Sequence, residues 1–177
     1  MTTYPTFAGF DSGLTPGLAV IRRLPNAYEL VFHKKIKTDT TARLIERIRQ
    51  IHAVLGPALR EYMPVFFAIE EQMGVQVGKR RQHVEGGEAA MNANNAKTVG
   101  TQFLAAECAL CYGIACDFFQ PRSAKVALLG KGGGKAEKKD IQARVLLLTG
   151  LKVNQDEADA TALAILASQR SRFLRTG

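Results

Sequence analysis

The segment VFFAIE at residues 65–70 is apolar at every position except its last. It is too short for a buried helix, and it lacks the alternation of a strand with one wet face. It therefore reads as a strand covered on both sides. A chain containing such a strand must supply a sheet and helices to lie over each of its faces.

The flanking segments supply both. TFAGFD (6–11) and GLAVIRR (17–23), joined by the turn SGLTP, read as strands, and AYELVFHKKI (27–36) as a third. This is an opening meander. Leu44, Ile48, Ile51 and Leu55 recur at helical spacing and predict an amphipathic helix stopped by Gly56 and Pro57. Residues 71–91 carry Gly74, Gly78, Gly86 and Gly87 among charges, the composition of a mobile loop ordered by a ligand. Val99, Phe103, Ala106, Leu110 and Gly113 mark a second helix, whose near-heptad stripe serves either the core or a partner helix. IACDFF (114–119) reads as a further buried strand. After it come a short helix at 120–129, a flexible basic connector GKGGGK (130–135), and helices at 136–149 and 155–174. No internal repeat interrupts this order. The expectation is an α/β fold, a mixed five-stranded sheet with helices on both faces, in one domain spanning residues 1–177.

Net charge narrows the function classes. The formal charge is +8, which favours a polyanionic partner. Between residues 122 and 144 there are seven basic residues (Arg122, Lys125, Lys131, Lys135, Lys138, Lys139, Arg144) against two acids. Lys79, Arg80 and Arg81 form a second patch. One such patch is as often a solvated helix face, but two flanking acidic motifs point to phosphate binding. The amino-terminal residues lack the basic start and apolar stretch of a signal peptide, and no run is long enough to span a bilayer. Three cysteines crowded into one apolar region do not make a disulfide framework. A cytoplasmic protein with no membrane partner is expected.

Four acids stand out from the rest. Asp11 and Glu70 each end an apolar strand, where a side chain is held rigidly at the sheet's edge. Strand alternation sends Glu70 and Glu71 to opposite faces, so only one of them enters a common site. Asn154 can cap the last helix with Glu157 reaching back in a capping box, which puts Asp156 and Asp159 in the first turn. Helix-start acids ordinarily complement the dipole in water. This pair instead shares a stripe with Leu163, Leu166 and Arg170 and should point inward. Inward carboxylates repel one another and lose hydration, and a divalent cation with hard oxygen ligands, Mg²⁺ or Mn²⁺, is the simplest compensation.

GFDSG on the first strand, FAIEEQ on the fourth, QPRSAKVALLG, KAEKKDIQ and DEADATALAI together resemble the RuvC-type Holliday junction resolvases of the RNase H-like superfamily. The likeness runs over nearly the whole chain in the right order. It implies an RNase H-like fold and a homodimer that resolves a four-way DNA junction by two symmetric nicks. It also implies two Mg²⁺ per site, with Mn²⁺ able to substitute, held by Asp11, Glu70, Asp156 and Asp159. Asp11 would bridge the two ions, and Lys125 and Lys138 would contact the DNA backbone beside the cut. Arg122, Lys131, Lys135, Lys139 and the patch Lys79, Arg80, Arg81 would hold the arms of the branched DNA. The stripe from Val99 to Leu110 is the candidate dimer interface. Two departures accompany the likeness: Ser12 replaces the usual proline after the first acid, which should leave that acid in place, and Met73 stands where an aromatic wedge usually follows FAIE. With the triglycine linker and the Arg-rich tail, these suggest a divergent branch such as a phage or prophage member.

Competing signals are weaker. Cys108 and Cys111 have C-x-x-C spacing, but no second pair completes a zinc site, so they read as buried, inert thiols. GKGGGK lacks both the earlier glycine and the Ser or Thr of a nucleotide-binding phosphate loop, and no nucleotide cofactor is expected. His33, His52 and His83 have no nucleophile to serve. The Asp-x-Gly turn also resembles those of sugar kinases and actin-like ATPases, folds that need two such lobes. An RNase H-like nuclease acting on other branched DNA or RNA·DNA hybrids remains an alternative, as does a DNA-binding relative that has lost cleavage.

Overall fold

The structure, a computed structural model, describes residues 4–13, 15–39, 41–71 and 87–170, with the backbone path alone for 87–97. Five strands form one sheet: β1 (Thr6–Asp11), β2 (Gly17–Arg23), β3 (Tyr28–Lys35), β4 (Phe66–Glu70) and β5 (Cys116–Phe119). Their order is β3-β2-β1-β4-β5. The first three pair antiparallel as the expected meander, while β1/β4 and β4/β5 are parallel. Because β4 lies inside the sheet, Phe66 to Ile69 are all buried, as its unbroken apolar run requires. The strand at 114–119 departs from expectation. β5 is an edge strand and only half-buried, since its outer side has no neighbour to cover it.

Helices cover both faces. On one side α1 (Leu44–Tyr62) and α2 (Gly87–Cys111) pack over Ala8, Phe10, Leu18, Val20, Phe67 and Ile69. On the other, α3 (Pro121–Leu129), α4 (Lys138–Thr149) and α5 (Gln155–Arg170) pack over Phe7, Ala19, Ile21, Phe66 and Ala68. The alternation along β1 and β4 thus divides two cores.

Several boundaries differ from those the sequence predicts. α1 runs straight through Gly56 and Pro57 and ends at Met63, whose left-handed φ of 39° precedes Pro64. Pro57 sits on the solvent side, where water can satisfy the carbonyl it leaves free, while Leu55, Ala58 and Leu59 hold the other side in the core. α2 begins at Gly87, so the last five residues of the predicted loop are helical, and residues 72–86 lie outside the described residues. The stripe on α2 faces away from the core: Thr101, Ala105, Cys108 and Ala109 are buried, whereas Phe103 and Leu110 are 57% and 68% exposed. Cys111 is exposed too, contrary to its reading as a buried thiol. The glycine-rich connector contains a 3₁₀ turn, Gly133–Lys135, packed on α3. A Cβ on Gly133 would lie 2.8 Å from the Lys125 carbonyl oxygen, and one on Gly134 would strike the Arg122 side chain. These glycines serve close packing more than flexibility.

α5 determines where the acids stand. It is buried on nearly every side, with Ala158, Ala160, Ala162, Ala164 and Ala167 among its contact residues. It reaches the sheet over two glycines. A Cβ on Gly9 would be 2.8 Å from Leu163 Cβ and closer still to the Ala160 and Ala164 backbone, and a Cβ on Gly17 would fall 2.6 Å from the Asp156 carbonyl carbon. Gly9→Ala should therefore displace α5, lowering stability by about 3 kcal/mol, the upper part of the overpacking range. Urea unfolding checks this, and an unchanged midpoint would refute the seat.

Candidate active site

Asp11 and Glu70 are the last residues of two adjacent parallel strands. Phe7, Gly9 and Asp11 share the α5 side of β1, and Phe66, Ala68 and Glu70 share that side of β4. The carboxyls therefore meet, joined by a side-chain hydrogen bond, and the Gly13 N–H donates to Asp11 Oδ1 at 3.3 Å. Ser12 is fully buried beneath them. Its hydroxyl donates to the Glu70 carbonyl oxygen at 2.8 Å, and its own carbonyl accepts from Thr101 Oγ1 at 2.7 Å. The two strand tips and α2 are thus fastened together. Glu70 and Glu71 both line a cleft of about 480 Å³ with Gln120, Arg122 and Lys125, so Glu71 lies beside the site.

The opening turn of α5 brings the other pair. The capping box forms as expected: Glu157 N–H donates to Asn154 Oδ1 at 3.0 Å, and Asn154 N–H to Glu157 Oε2 at 3.0 Å. Glu157 Oε1 also accepts from the Lys35 N–H at 3.2 Å and lies 3.3 Å from His33 Nδ1, which clamps β3 to the helix start. His33 thereby has a structural contact. Asp159 and Glu70 line a cavity of about 170 Å³ with Lys125, Ala124 and Ile141. Asp156 pairs with Lys35, Nζ to Oδ2 2.6 Å. The sequence reasoning missed Lys35, and strand register was the one signal that could have found it.

The groups act on one another. Burial pushes Glu70 up to about 9, helped by its hydrogen bond to Asp11 and by the charges of Asp11 and Asp159. Burial likewise raises Asp159 to about 6, with Asp11 adding to it. Asp11 is raised by burial and by Asp156 despite its hydrogen bond. The two carboxyls thus hold a proton between them more readily than either would alone. Lys125 opposes the shifts at Glu70 and Asp159, and Lys138 those at Asp11 and Asp159. All four acids and both lysines share one field.

Among the described residues, no three acidic, histidine or cysteine side chains already form a cage around one point. The acids are engaged pairwise, Asp11 with Glu70 and Asp156 with Lys35. Their chemistry still fits a hard divalent ion: four oxygen-donor side chains, two of them raised well above the carboxylate range by burial and mutual repulsion, which a cation would relieve.

Arg122, Lys125 and Lys138 stand near these acids. Arg122 and Lys125 lie on α3, Lys131 and Lys135 in the connector, and Lys138 and Lys139 open α4. Lys125 Nζ donates to the Ala136 carbonyl at 3.2 Å, and Lys139 pairs with exposed Glu137. Arg144 donates inward to the Leu128 carbonyl. Met73, Lys79, Arg80 and Arg81 lie outside the described residues.

The family model described as Crossover junction endodeoxyribonuclease RuvC matches residues 7–167. The chain belongs to the RuvC family. A RuvC relative from Zymomonas mobilis is 30% identical over 162 residues, covering 90% of this chain and 87% of that protein. The structure of Thermus thermophilus RuvC superposes with a TM-score of 0.71 at 25% identity, covering 95% of this chain and 96% of that one. Thermus thermophilus RuvC in complex with Holliday junction substrate gives a TM-score of 0.73 at 24% identity, with 96% of each chain covered. The RuvC frame, an RNase H-like fold, is thus the frame that carries these acids.

Stability should follow their protonation. With chelator present, the folded chain holds protons on Glu70 and Asp159 that the unfolded chain has already released, between about pH 4.5 and 9 for Glu70. Those protons leave as pH rises, so this contribution to stability falls across the window. Glu70→Gln should flatten the decline and raise the melting temperature in chelator at pH 8. Thermal unfolding from pH 5 to 9 tests this, and an unchanged slope in the variant would refute it.

Proposed function

We propose that this chain is a structure-selective endonuclease, a single RNase H-like nuclease domain over residues 1–177. It would resolve Holliday junctions and related branched DNA by two symmetric nicks, in DNA recombination or phage DNA processing. The observation that carries the reading is the coupling of Asp11, Glu70, Asp156 and Asp159, drawn from three separate elements, beside Lys125 and Lys138. Family membership gives that constellation its chemistry.

Two Mg²⁺ ions, replaceable by Mn²⁺, would be held by Asp11, Glu70, Asp156 and Asp159, whose charges already act on one another. When bound, such ions supply the charge that activates water and stabilises the leaving oxygen. Glu70 would hold such an ion as a carboxylate, its proton going to solvent. Lys125 and Lys138 offset phosphate charge, and the rigid strand tips fix the approach of water in line with the bond from phosphorus to the 3′ oxygen. Breaking that bond leaves a 5′ phosphate and a 3′ hydroxyl.

Arg122, Lys131, Lys135, Lys139 and the patch Lys79, Arg80, Arg81 would track the duplex arms through phosphates, and Met73 would meet the DNA where the resemblance expects an aromatic wedge. A homodimer would place two such sites on opposed strands, and the exposed Phe103 and Leu110 on α2 support that helix as its interface. No nucleotide cofactor and no membrane enter the reaction, and the cytoplasm is where we place it.

Purified protein should nick a labelled four-way junction at paired positions with Mg²⁺, leave a linear duplex and an RNA·DNA hybrid intact, and stop in EDTA. Asp11→Asn should slow cleavage by about a hundred- to a thousandfold, the cost of losing one transition-state-stabilising group, while junction binding persists in a mobility-shift assay. Equal cutting of all three substrates would instead identify a general RNase H-like nuclease. Undiminished cutting by Asp11→Asn would overturn the site.

A further inference from the structure

We infer that Lys35 is a resident cation of this site, paired with Asp156 until a divalent ion claims that carboxylate, and that it thereby sets how much metal the site requires. The inference rests on the reading of Asp156 as a metal ligand. Its basis is strand register. Asp11 pairs with Gly17 and Gly17 with Lys35, so the three stand in one row across β1, β2 and β3. Side chains in such a row share a face, here the face on which α5 lies. Gly17 contributes no side chain, and the α5 backbone at Asp156 settles over it. The lysine ammonium therefore crosses an open position and meets Asp156 Oδ2 at 2.6 Å.

Two features separate this contact from a casual surface pair. The Asp156 side chain is only 19% exposed. The lysine is also held at its root, because its N–H donates to Glu157 Oε1 and its strand neighbour His33 touches the same carboxylate. Lys125 and Lys138 belong to α3 and α4, so Lys35 is the cation that β3 brings to the site. A divalent ion approaching Asp156 meets this positive charge, and the pair must open before the oxygen is released. Affinity for metal is lowered, and the empty site keeps a neutralised acid.

Titration of the full chain with Mn²⁺ by calorimetry, alongside Lys35→Met, Lys35→Arg and Asp156→Asn, tests the assignment. Lys35→Met should bind Mn²⁺ about fivefold more tightly, the scale of a partly exposed ion pair, whereas Lys35→Arg should match the native protein. Lys35→Gln makes the same test if the methionine variant fails to fold. Unchanged or weaker binding in folded Lys35→Met or Lys35→Gln, with binding lost in Asp156→Asn, would overturn the role of Lys35 and leave the ligand reading standing. A native protein that takes up no Mn²⁺ would overturn both.

Discussion

Backbone contact between α5 and the first two strands governs where the acids of the site stand relative to one another. Side chains cannot intervene at Gly9 or Gly17, so the helix rests almost directly on the sheet. Its small residues, Ala158, Ala160 and Ala164, make the same approach possible from the other side. With the axis fixed, the first turn of α5 projects over the ends of β1 and β4, and Asp156 and Asp159 come within the field of Asp11 and Glu70. A larger residue at either glycine would lift the helix and dilute that field.

The resulting site is electrostatically uncomfortable on its own. Burial and proximity drive two carboxyls far above their ordinary range, so protons and lysines compensate where a cation is absent. Such groups are poor contributors to stability. Their concentration at one end of the sheet, beneath a flank rich in Arg and Lys, is what a site for polyanion chemistry requires.

Much of this was legible in the sequence because it rests on short-range rules. The apolar run ending at Glu70 specified an internal strand, and Asn154 with Glu157 announced the start of α5. What escaped depends on tertiary context. Gly56 and Pro57 signal a stop locally, yet α1 continues because the proline faces water and its neighbours face the core. The triglycine stretch looks like a flexible tether until Gly133 and Gly134 are seen against Lys125 and Arg122. A buried β5 could not be told from an edge strand, since sequence does not give strand order. Lys35 stands in the row of Asp11 only through two pairings that no local pattern encodes.

Ser12 carries a different lesson. A proline at that position would hold the turn after Asp11 by its own ring, whatever surrounded it. The serine holds it through bonds to Glu70 and, through its carbonyl, to Thr101. The stiffness of the acid-bearing tip is therefore conditional: it lasts while β4 and α2 remain seated. Thr101 faces inward on the same helix whose Phe103 faces out. The rigidity that a proline would build into a covalent ring is here distributed over three elements, and the outer surface of one of them carries the exposed Phe103 and Leu110.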